Sequence, residues 1–148
     1  MIHENTFVKF SFNGTKGMVF IGDKMLTYRR DNKTNKFPLL IDLPGGGREE
    51  GESPFDTFQR ELFEEFGVEI KRNDICDSYQ LQSADEPDKK SFFVITKPLK
   101  IALEDIHFGD EGVEWMLMTP EEFVSRADGI ERQQKRVAKY IHGKLVSE

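Results

Sequence analysis

The feature that most restricts the fold is a glycine-rich turn that leads directly into one amphipathic helix. The segment GGGREEGESPFDTFQRELFEEFGV, residues 45–68, opens with three glycines and carries seven carboxylates within 24 positions. Ser53 and Pro54 are typical of a helix start, with serine as the N-cap and proline in the first turn. Gly67 is a typical C-terminal stop. The pattern therefore predicts a helix that ends at about Phe66.

The predicted helix has an apolar stripe and a separate acidic face. At 100° per residue, one stripe that should pack against a sheet contains Phe55, Phe58, Leu62 and Phe66. Glu61, Glu64 and Glu65 stand at i, i+3 and i+4, where like charges destabilise a helix by a few tenths of a kcal/mol per pair. Arg60 is the only cation of the helix. A solvated surface and a divalent-metal site both account for such a face, because clustered carboxylates are also the oxygen ligands that Mg²⁺ and Mn²⁺ prefer.

The remaining pattern predicts a mixed β-sheet with helices on its faces. A turn at Gly22-Asp23 joins two short strands, and FPLLIDLPGGG gives a further strand that runs into the glycine loop. Further predicted elements are strands near 75–83, 91–98 and 112–118, a short helix capped at Thr119, and a last helix within 129–145, whose run KRVAK is interpreted as its outer face. The chain has 148 residues without a repeat or linker, so one domain over 1–148 is expected.

Composition and charge exclude several classes of protein. The net charge of -6 argues against a nucleic-acid polymer as partner, since such a surface needs many basic residues. No stretch approaches the ~20 apolar residues that span a bilayer, and the start of the chain lacks the pattern of a signal peptide. Cys76 is the single cysteine, which predicts a reducing, cytoplasmic compartment.

The spacing of the charged residues carries more information than the charge itself. From Gly46 the chain gives five residues, Glu52, seven residues, Arg60-Glu61-Leu62, one residue, Glu64-Glu65, one residue, and Gly67-Val68. This resembles the Nudix box, G-x5-E-x7-R-E-U-x-E-E-x-G-U with U aliphatic, at all nine specified positions. The LPGG lead-in, the strand order and the length also resemble a complete Nudix domain. Ile41 departs from the aromatic residue that many members carry before LPGG.

The resemblance implies an α/β/α sandwich with a mixed β-sheet and hydrolysis of a nucleoside diphosphate derivative, with Mg²⁺ or Mn²⁺ as cofactor. The implied metal ligands are Glu61, Glu64, Glu65 and the carbonyl of Gly46. Glu52 would stabilise the loop, and Arg60 would hold the glutamates. A carboxylate would take a proton from the attacking water, and the candidates are Glu64, Glu61 and Glu111.

Outside the box, the acidic loop FGDEGVEW resembles the one that supplies a metal-binding glutamate in short 8-oxo-dGTP diphosphatase-like members. Glu111 is therefore expected as a further ligand, ahead of Asp110 and Glu114. Either Arg29 or Arg30 is expected to reach substrate phosphate, with Arg29 preferred, although both also suit a solvated strand end. Three aromatic residues could stack on a base, although core or rim packing is the favoured prediction for each: Phe37, Tyr79 and Trp115.

The small size favours a (d)NTP, or a modified one, cleaved to monophosphate and pyrophosphate. Hydrolysis of ADP-ribose, nucleotide sugars or dinucleoside polyphosphates stays open, as does a non-catalytic nucleotide-binding module on the same fold. An isomerase of the isopentenyl-diphosphate type is disfavoured, because Cys76 lies outside any matching context. The expected partner is a small molecule, and both a monomer and a homodimer stay open.

Overall fold

Seven strands, three α-helices and two short 3₁₀ helices are the regular elements of the described part of the chain. The computed structural model describes residues 11–148, so most of the segment used to predict the absence of a signal peptide lies outside it. The strands are β1 (Phe12–Met18), β2 (Phe20–Ile21), β3 (Lys24–Arg30), β4 (Ile41–Asp42), β5 (Ile75–Gln82), β6 (Lys90–Thr96) and β7 (Gly112–Met118). The helices are α1 (Pro54–Phe66), α2 (Pro120–Ser125) and α3 (Glu131–Ile141).

The strands form two sheets with mixed pairing. One sheet has the order β1-β6-β5, with β1 parallel and β5 antiparallel to β6. In the other, β7 pairs along one edge of β3, β2 and β4 pair with the two ends of its other edge, and all pairs are antiparallel. The predicted fold class, a mixed sheet with helices on its faces, is confirmed.

Two hydrophobic cores lie on opposite faces of these sheets. One contains Phe58, Leu62 and Phe66 of α1, and the other contains Phe123 of α2 and Val137 of α3. All five side chains are fully buried. The helices are therefore divided between two layers, as a sandwich requires.

Helix α1 follows the predicted bounds because its caps form as the sequence indicates. The hydroxyl of Ser53 accepts the amide of Asp56 at 3.1 Å, and the Asp56 carboxylate accepts the amide of Ser53 at 3.2 Å. Gly67 ends the helix in the left-handed conformation, with φ 68°. In β1, a Cβ at Gly17 would lie 2.8 Å from the Phe58 ring, so this glycine lets the helix approach the strand closely.

Strand β1 is the main element that the pattern does not predict. Its sequence, FNGTKGM, contains Asn, Lys and two glycines, which are depleted in strands, and its pairing with β6 overrides that preference. The first predicted strand began only at Gly17. Strand β4 is limited to two residues, and residues 98–108 contain a short 3₁₀ turn at Leu103–Asp105. Within residues 11–148, no helix combines the length and apolar character needed to cross a bilayer.

Candidate active site

A cavity of about 340 Å³ lies between the glycine loop, strands β1 and β3, the β5–β6 loop and helix α3. Its acidic lining residues are Glu61, Glu65, Asp85 and Glu111. Its basic lining residues are Lys16, Arg30, Arg132 and Arg136. Opposite charges therefore meet across a space that suits a small anionic ligand together with a cation.

The glycine loop is held between β1 and α1. The amide of Thr15 donates to the Gly46 carbonyl at 2.9 Å, and the amide of Gly17 donates to the Pro44 carbonyl at 3.0 Å. From the other side, the Gly45 amide donates to Oε1 of Glu65 at 2.9 Å. The loop therefore fixes the Gly46 carbonyl beside the helix, and that oxygen keeps a second lone pair for another partner.

Arg60 connects the acidic residues of the box to one another. Its Nη1 donates to Oε1 of Glu61 and to Oε1 of Glu64, both at 3.0 Å. Its Nε donates to Oε2 of Glu52 at 2.7 Å, and its Nη2 donates to the Gly47 carbonyl at 2.8 Å. One guanidinium therefore offsets part of the repulsion on the acidic face and ties that face to the loop.

Glu52 lies between the loop and the first turn of α1. Its Oε1 accepts the Glu49 amide at 2.8 Å and the Thr57 hydroxyl at 3.0 Å, in addition to the bond from Arg60. The hydrogen bond from Arg60 is the main reason that the pKa of Glu52 falls to about 2. Glu52 is therefore ionised across the physiological range and links two segments of the chain.

Two glutamates of the cavity lie where an ionised carboxylate is poorly solvated. Burial raises the pKa of Glu65, which is 5% exposed, to about 8, although Lys16 and the Gly45 amide oppose the shift. Burial also raises the pKa of Glu61; Arg60 opposes this, and the carboxylates of Glu64 and Glu111 reinforce it. A divalent cation would remove the cost of ionising both groups.

The acidic residues do not form a ready-made metal cage. Within residues 11–148, no three acidic, histidine or cysteine side chains converge as a metal site. Arg60 engages Glu61 and Glu64, and Gly45 engages Glu65, so the carboxylates are held near the cavity by other partners. Glu64 is 49% exposed and is not part of the cavity lining.

The donor set nevertheless fits a hard divalent cation. A Cβ at Gly46 would lie 2.5 Å from Cδ of Glu61, so this carboxylate rests directly on the glycine loop. Glu61, Glu65 and Glu111 line the same cavity as Gly46 and supply only oxygen atoms, which Mg²⁺ and Mn²⁺ prefer. Glu64 can join this donor set if its carboxylate gives up the hydrogen bond from Arg60 and binds the cation instead.

Lys16 is a cavity residue that the sequence analysis missed. Its Nζ donates to Oδ2 of Asp42 at 2.8 Å and to the carbonyls of Leu43 and Gly45, both at 3.1 Å. Asp42 is 1% exposed and also accepts Nη1 of Arg30 at 3.0 Å. The buried carboxylate therefore holds two cations at the cavity. No motif indicated Lys16, because the strand that carries it was not predicted.

The two arginines at the end of β3 have different surroundings. Arg30 lines the cavity. Arg29 is not part of the lining; its Nε donates to Glu114 at 3.1 Å and its Nη1 to Asp128 at 3.2 Å. The structure therefore brings Arg30, and not the preferred Arg29, to the glutamates of the box.

The aromatic residues considered in the sequence lie outside the cavity lining. Trp115 is partly buried and packs against the core that contains the α1 side chains. The ring centres of Tyr79 and Tyr140 are 6.0 Å apart. Phe37 is 37% exposed and lies under the guanidinium of Arg132, 5.1 Å from its ring centre. Their contacts are those of core and rim packing.

The interpretation of KRVAK as an outer helix face is wrong for two of its residues. Val137 is fully buried, and Arg136 lines the cavity beside Gln133. The run is polar enough to suggest a solvated surface, and only the packing of α3 over the sheet identifies the buried face.

A NUDIX domain profile matches residues 14–140 of the chain. The fold is similar to that of a MutT protein from Methanosarcina mazei Go1, at 17% identity and a TM-score of 0.71, over 91% of this chain and 96% of that one. It is also similar to a NUDIX hydrolase from Nitrosomonas europaea, at 18% identity and a TM-score of 0.68, over 94% of this chain and 78% of that one.

A bifunctional NMN adenylyltransferase/ADP ribose pyrophosphatase from Francisella tularensis is similar at 17% identity and a TM-score of 0.66. That match covers 93% of this chain and 44% of the larger protein. A second structure of that enzyme contains AMP and a manganese ion. No curated protein sequence matches the chain. The profile covers most of the chain and the box fills every specified position: the chain belongs to the NUDIX domain family, hydrolases that act on nucleoside diphosphate derivatives.

Proposed function

We propose that the chain hydrolyses the diphosphate linkage of a nucleoside diphosphate derivative with Mg²⁺ or Mn²⁺ as cofactor. The observation that carries the proposal is the division of charge in the cavity. Glu61 and Glu65 are acids whose ionised forms lack full compensation, and Lys16 and Arg30 are cations held toward the same space. A metal–diphosphate complex satisfies both sets at once.

The proposed ligands are the Gly46 carbonyl and the carboxylates of Glu61, Glu64, Glu65 and Glu111. When bound, the cation neutralises the diphosphate oxygens and activates a water molecule. The manganese ion in the structure of the Francisella tularensis enzyme supports manganese as an alternative to magnesium.

The chain's own residues position the substrate and receive the proton. Arg30 and Lys16 would hold phosphate oxygens, and their place in the cavity supports Arg30 rather than Arg29 as the arginine that reaches phosphate. Glu61 and Glu64 both share Arg60, so a change at one alters the charge around the other. We assign the proton acceptor to this pair, with Glu64 as the first choice and Glu111 as the alternative.

A (d)NTP or modified (d)NTP, cleaved to monophosphate and pyrophosphate, is the proposed substrate. The cavity volume of about 340 Å³ falls in the range of small-ligand sites, and two of the similar structures are a MutT protein and a NUDIX hydrolase. The similarity to an ADP ribose pyrophosphatase supports nucleotide sugars as the second candidate. Dinucleoside polyphosphates are the third.

A small-molecule partner and a cytoplasmic location belong to the same proposal. The acidic balance of -6 disfavours a nucleic-acid polymer, and a single cysteine suits a reducing compartment. Monomer and homodimer are both compatible with the site, since all the proposed ligands come from one chain.

The deciding experiment is a panel of (d)NTPs, oxidised purine nucleotides, nucleotide sugars and dinucleotides, incubated with Mg²⁺ and followed by identification of the products. We expect monophosphate and pyrophosphate from at least one triphosphate. Strong preference for ADP-ribose over every triphosphate would select the second candidate. No product from any compound would favour a non-catalytic binding module.

The substitution Glu64→Gln tests the assigned base and ligand. It should abolish turnover while leaving the fold intact, because the new amide still accepts a hydrogen bond from Arg60 but neither ionises nor binds a cation strongly. Glu50→Gln is the matched control, since Glu50 is exposed in the loop and outside the cavity lining. A fully active Glu64→Gln variant would exclude the mechanism.

A further inference from the structure

Arg136 is a half-buried cation in the α3 wall of the cavity, and it lacks an acidic partner among residues 11–148. Its Nη2 donates a hydrogen bond to the hydroxyl of Ser91 at 3.2 Å. Among the cavity cations of the described chain, Lys16 and Arg30 pair with Asp42, and Arg132 pairs with Asp85. No described carboxylate lies within 4.0 Å of the guanidinium of Arg136.

The side chains around Arg136 provide further unused hydrogen-bonding groups. Gln133, one helical turn earlier, is 3% exposed, and its Oε1 has no hydrogen-bond partner in residues 11–148. Because an amide can rotate to present its NH₂ group, Gln133 can donate as well as accept at this position. Arg132 lies at i−4 on the same helix and is fixed by Asp85 at 3.1 Å and by the Phe37 ring.

A guanidinium in this setting favours an anion over a neutral group. Burial lowers the pKa of Arg136, and the positive charge of Arg132 lowers it further; Glu148 and Asp85 only partly oppose this. A neutral nucleobase could accept hydrogen bonds from Arg136 but would leave its charge uncompensated. An anion would accept the bonds and also offset the charge, which makes the hydrogen bonds stronger.

We propose that Arg136, with Gln133 and Ser91, binds a second anionic group of the substrate, a phosphomonoester or a carboxylate, on the part of the molecule beyond the diphosphate. The inference rests on the proposed hydrolase function, because it places the diphosphate at the box glutamates on α1. Helix α3 forms a different wall of the same cavity from α1, so it can hold a group of the substrate other than the diphosphate. The substrate class is thus a nucleoside diphosphate derivative, a modified (d)NTP included, that carries an anionic substituent separate from its phosphate chain.

The test compares substrates that differ only in the second anion. Three matched pairs are GDP and guanosine 5′-diphosphate 3′-monophosphate, ADP-ribose and its 2′-phosphate, and UDP-glucose and UDP-glucuronate. We expect kcat/KM to be at least about tenfold higher for the anionic member of one pair, as a charged hydrogen bond permits. A preference in a phosphorylated pair identifies a phosphomonoester, and one in the UDP-sugar pair identifies a carboxylate.

The preference should depend on Arg136. In Arg136→Gln, kcat/KM for the two members of the pair should differ by no more than about twofold. Arg136→Lys should keep part of the preference, because lysine retains the positive charge but lacks the forked donors of the guanidinium. Lys139→Gln is the matched control, because it removes the same charge from an exposed position on the same helix and should leave the preference unchanged. Equal kcat/KM within every pair, or an unchanged preference in Arg136→Gln, would overturn the inference.

A metal-free binding measurement separates this inference from the proposed function. Calorimetry with the same pairs in EDTA should show tighter binding of the anionic member to the natural chain and equal binding to Arg136→Gln. If no compound is hydrolysed, the proposed function fails, and the calorimetric preference still decides the anion site. If hydrolysis occurs without any preference in rate or affinity, the function stands and the anion site fails.

Discussion

Gly46 illustrates how one residue can control the site without contributing a side chain. An added Cβ would lie 2.5 Å from Cδ of Glu61 and 2.7 Å from each of its carboxylate oxygens. The atoms that would have to move belong to the flexible end of the Glu61 side chain. A methyl group at position 46 should therefore leave the fold intact but displace the Glu61 carboxylate.

We therefore expect Gly46→Ala to retain its thermal stability and lose at least about tenfold in cation affinity and turnover, as a displaced site residue typically does. The matched control is Gly47→Ala, whose added Cβ would meet only the Asn13 carbonyl, at 3.9 Å. Unfolding curves and cation titrations of both variants check the expectation. Equal cation affinity in the two variants would show that the position of Glu61 is unimportant.

At the scale of single residues, the box was predictable, and of the four cavity cations only Arg30 was among the predicted residues. The residues of the box lie on one loop and the helix that follows it, so their relative positions can be predicted from their spacing in the sequence. Lys16 and Arg136 reach the cavity through strand pairing and helix packing, which depend on residues far away in the chain. Arg29 and Arg30 have identical chemistry but are neighbours on a strand and project to opposite faces, so the choice depends on which face of β3 meets the cavity.

At the scale of elements, Asp128 joins the segment before α3 to strands β3 and β4. Its carbonyl accepts the Ile41 amide at 2.8 Å, and its carboxylate accepts Arg126 at 2.8 Å and Arg29 at 3.2 Å. The hydrogen bond from Arg126 is the main cause that lowers the pKa of Asp128 to about 2, and the bond from Arg29 adds to it.

Because the folded pKa is below the ordinary value of 3.8, this carboxylate stabilises the fold above about pH 4 and loses that effect as the pH falls toward 2. Asp128→Asn should therefore lower the unfolding temperature at neutral pH, and the difference from the natural chain should disappear near pH 2. Thermal unfolding between pH 2 and 7 measures it. Glu69→Gln, at an exposed position, is the control and should show no such pH-dependent difference.

Elements with local start and stop signals were predicted with the right bounds, and those held by distant pairing were not. Helix α1 has both caps in its own sequence, and β7 is bounded by Gly112 and Thr119. Strand β1 has poor intrinsic propensity and exists because β6 pairs with it. Strand β4 is shorter than its apolar run suggests, because only Ile41 and Asp42 pair with β3.

At the scale of the whole molecule, the fold places an acidic helix and a set of cations around one cavity. The same arrangement creates an energetic conflict in the absence of a cation. Glu65 is needed as an oxygen ligand, yet its burial raises its pKa to about 8, so ionising it destabilises the metal-free chain. A raised acid pKa means that stability is lost as the pH rises from about 4.5 through 8.

This conflict predicts a reversal of stability on adding metal. In EDTA at about pH 9, Glu65→Gln should unfold at a higher temperature than the natural chain, because the amide still accepts the Gly45 hydrogen bond and carries no charge. With Mg²⁺ or Mn²⁺ at about 100 times its dissociation constant, the natural chain should gain about 2.7 kcal/mol and the variant far less. Thermal unfolding in chelator and in metal gives both comparisons from the same two proteins. An equal gain in stability with metal in the variant would remove Glu65 from the ligand set. A lower stability of the variant in EDTA would show that the ionised Glu65 of the natural chain is better compensated than its surroundings indicate.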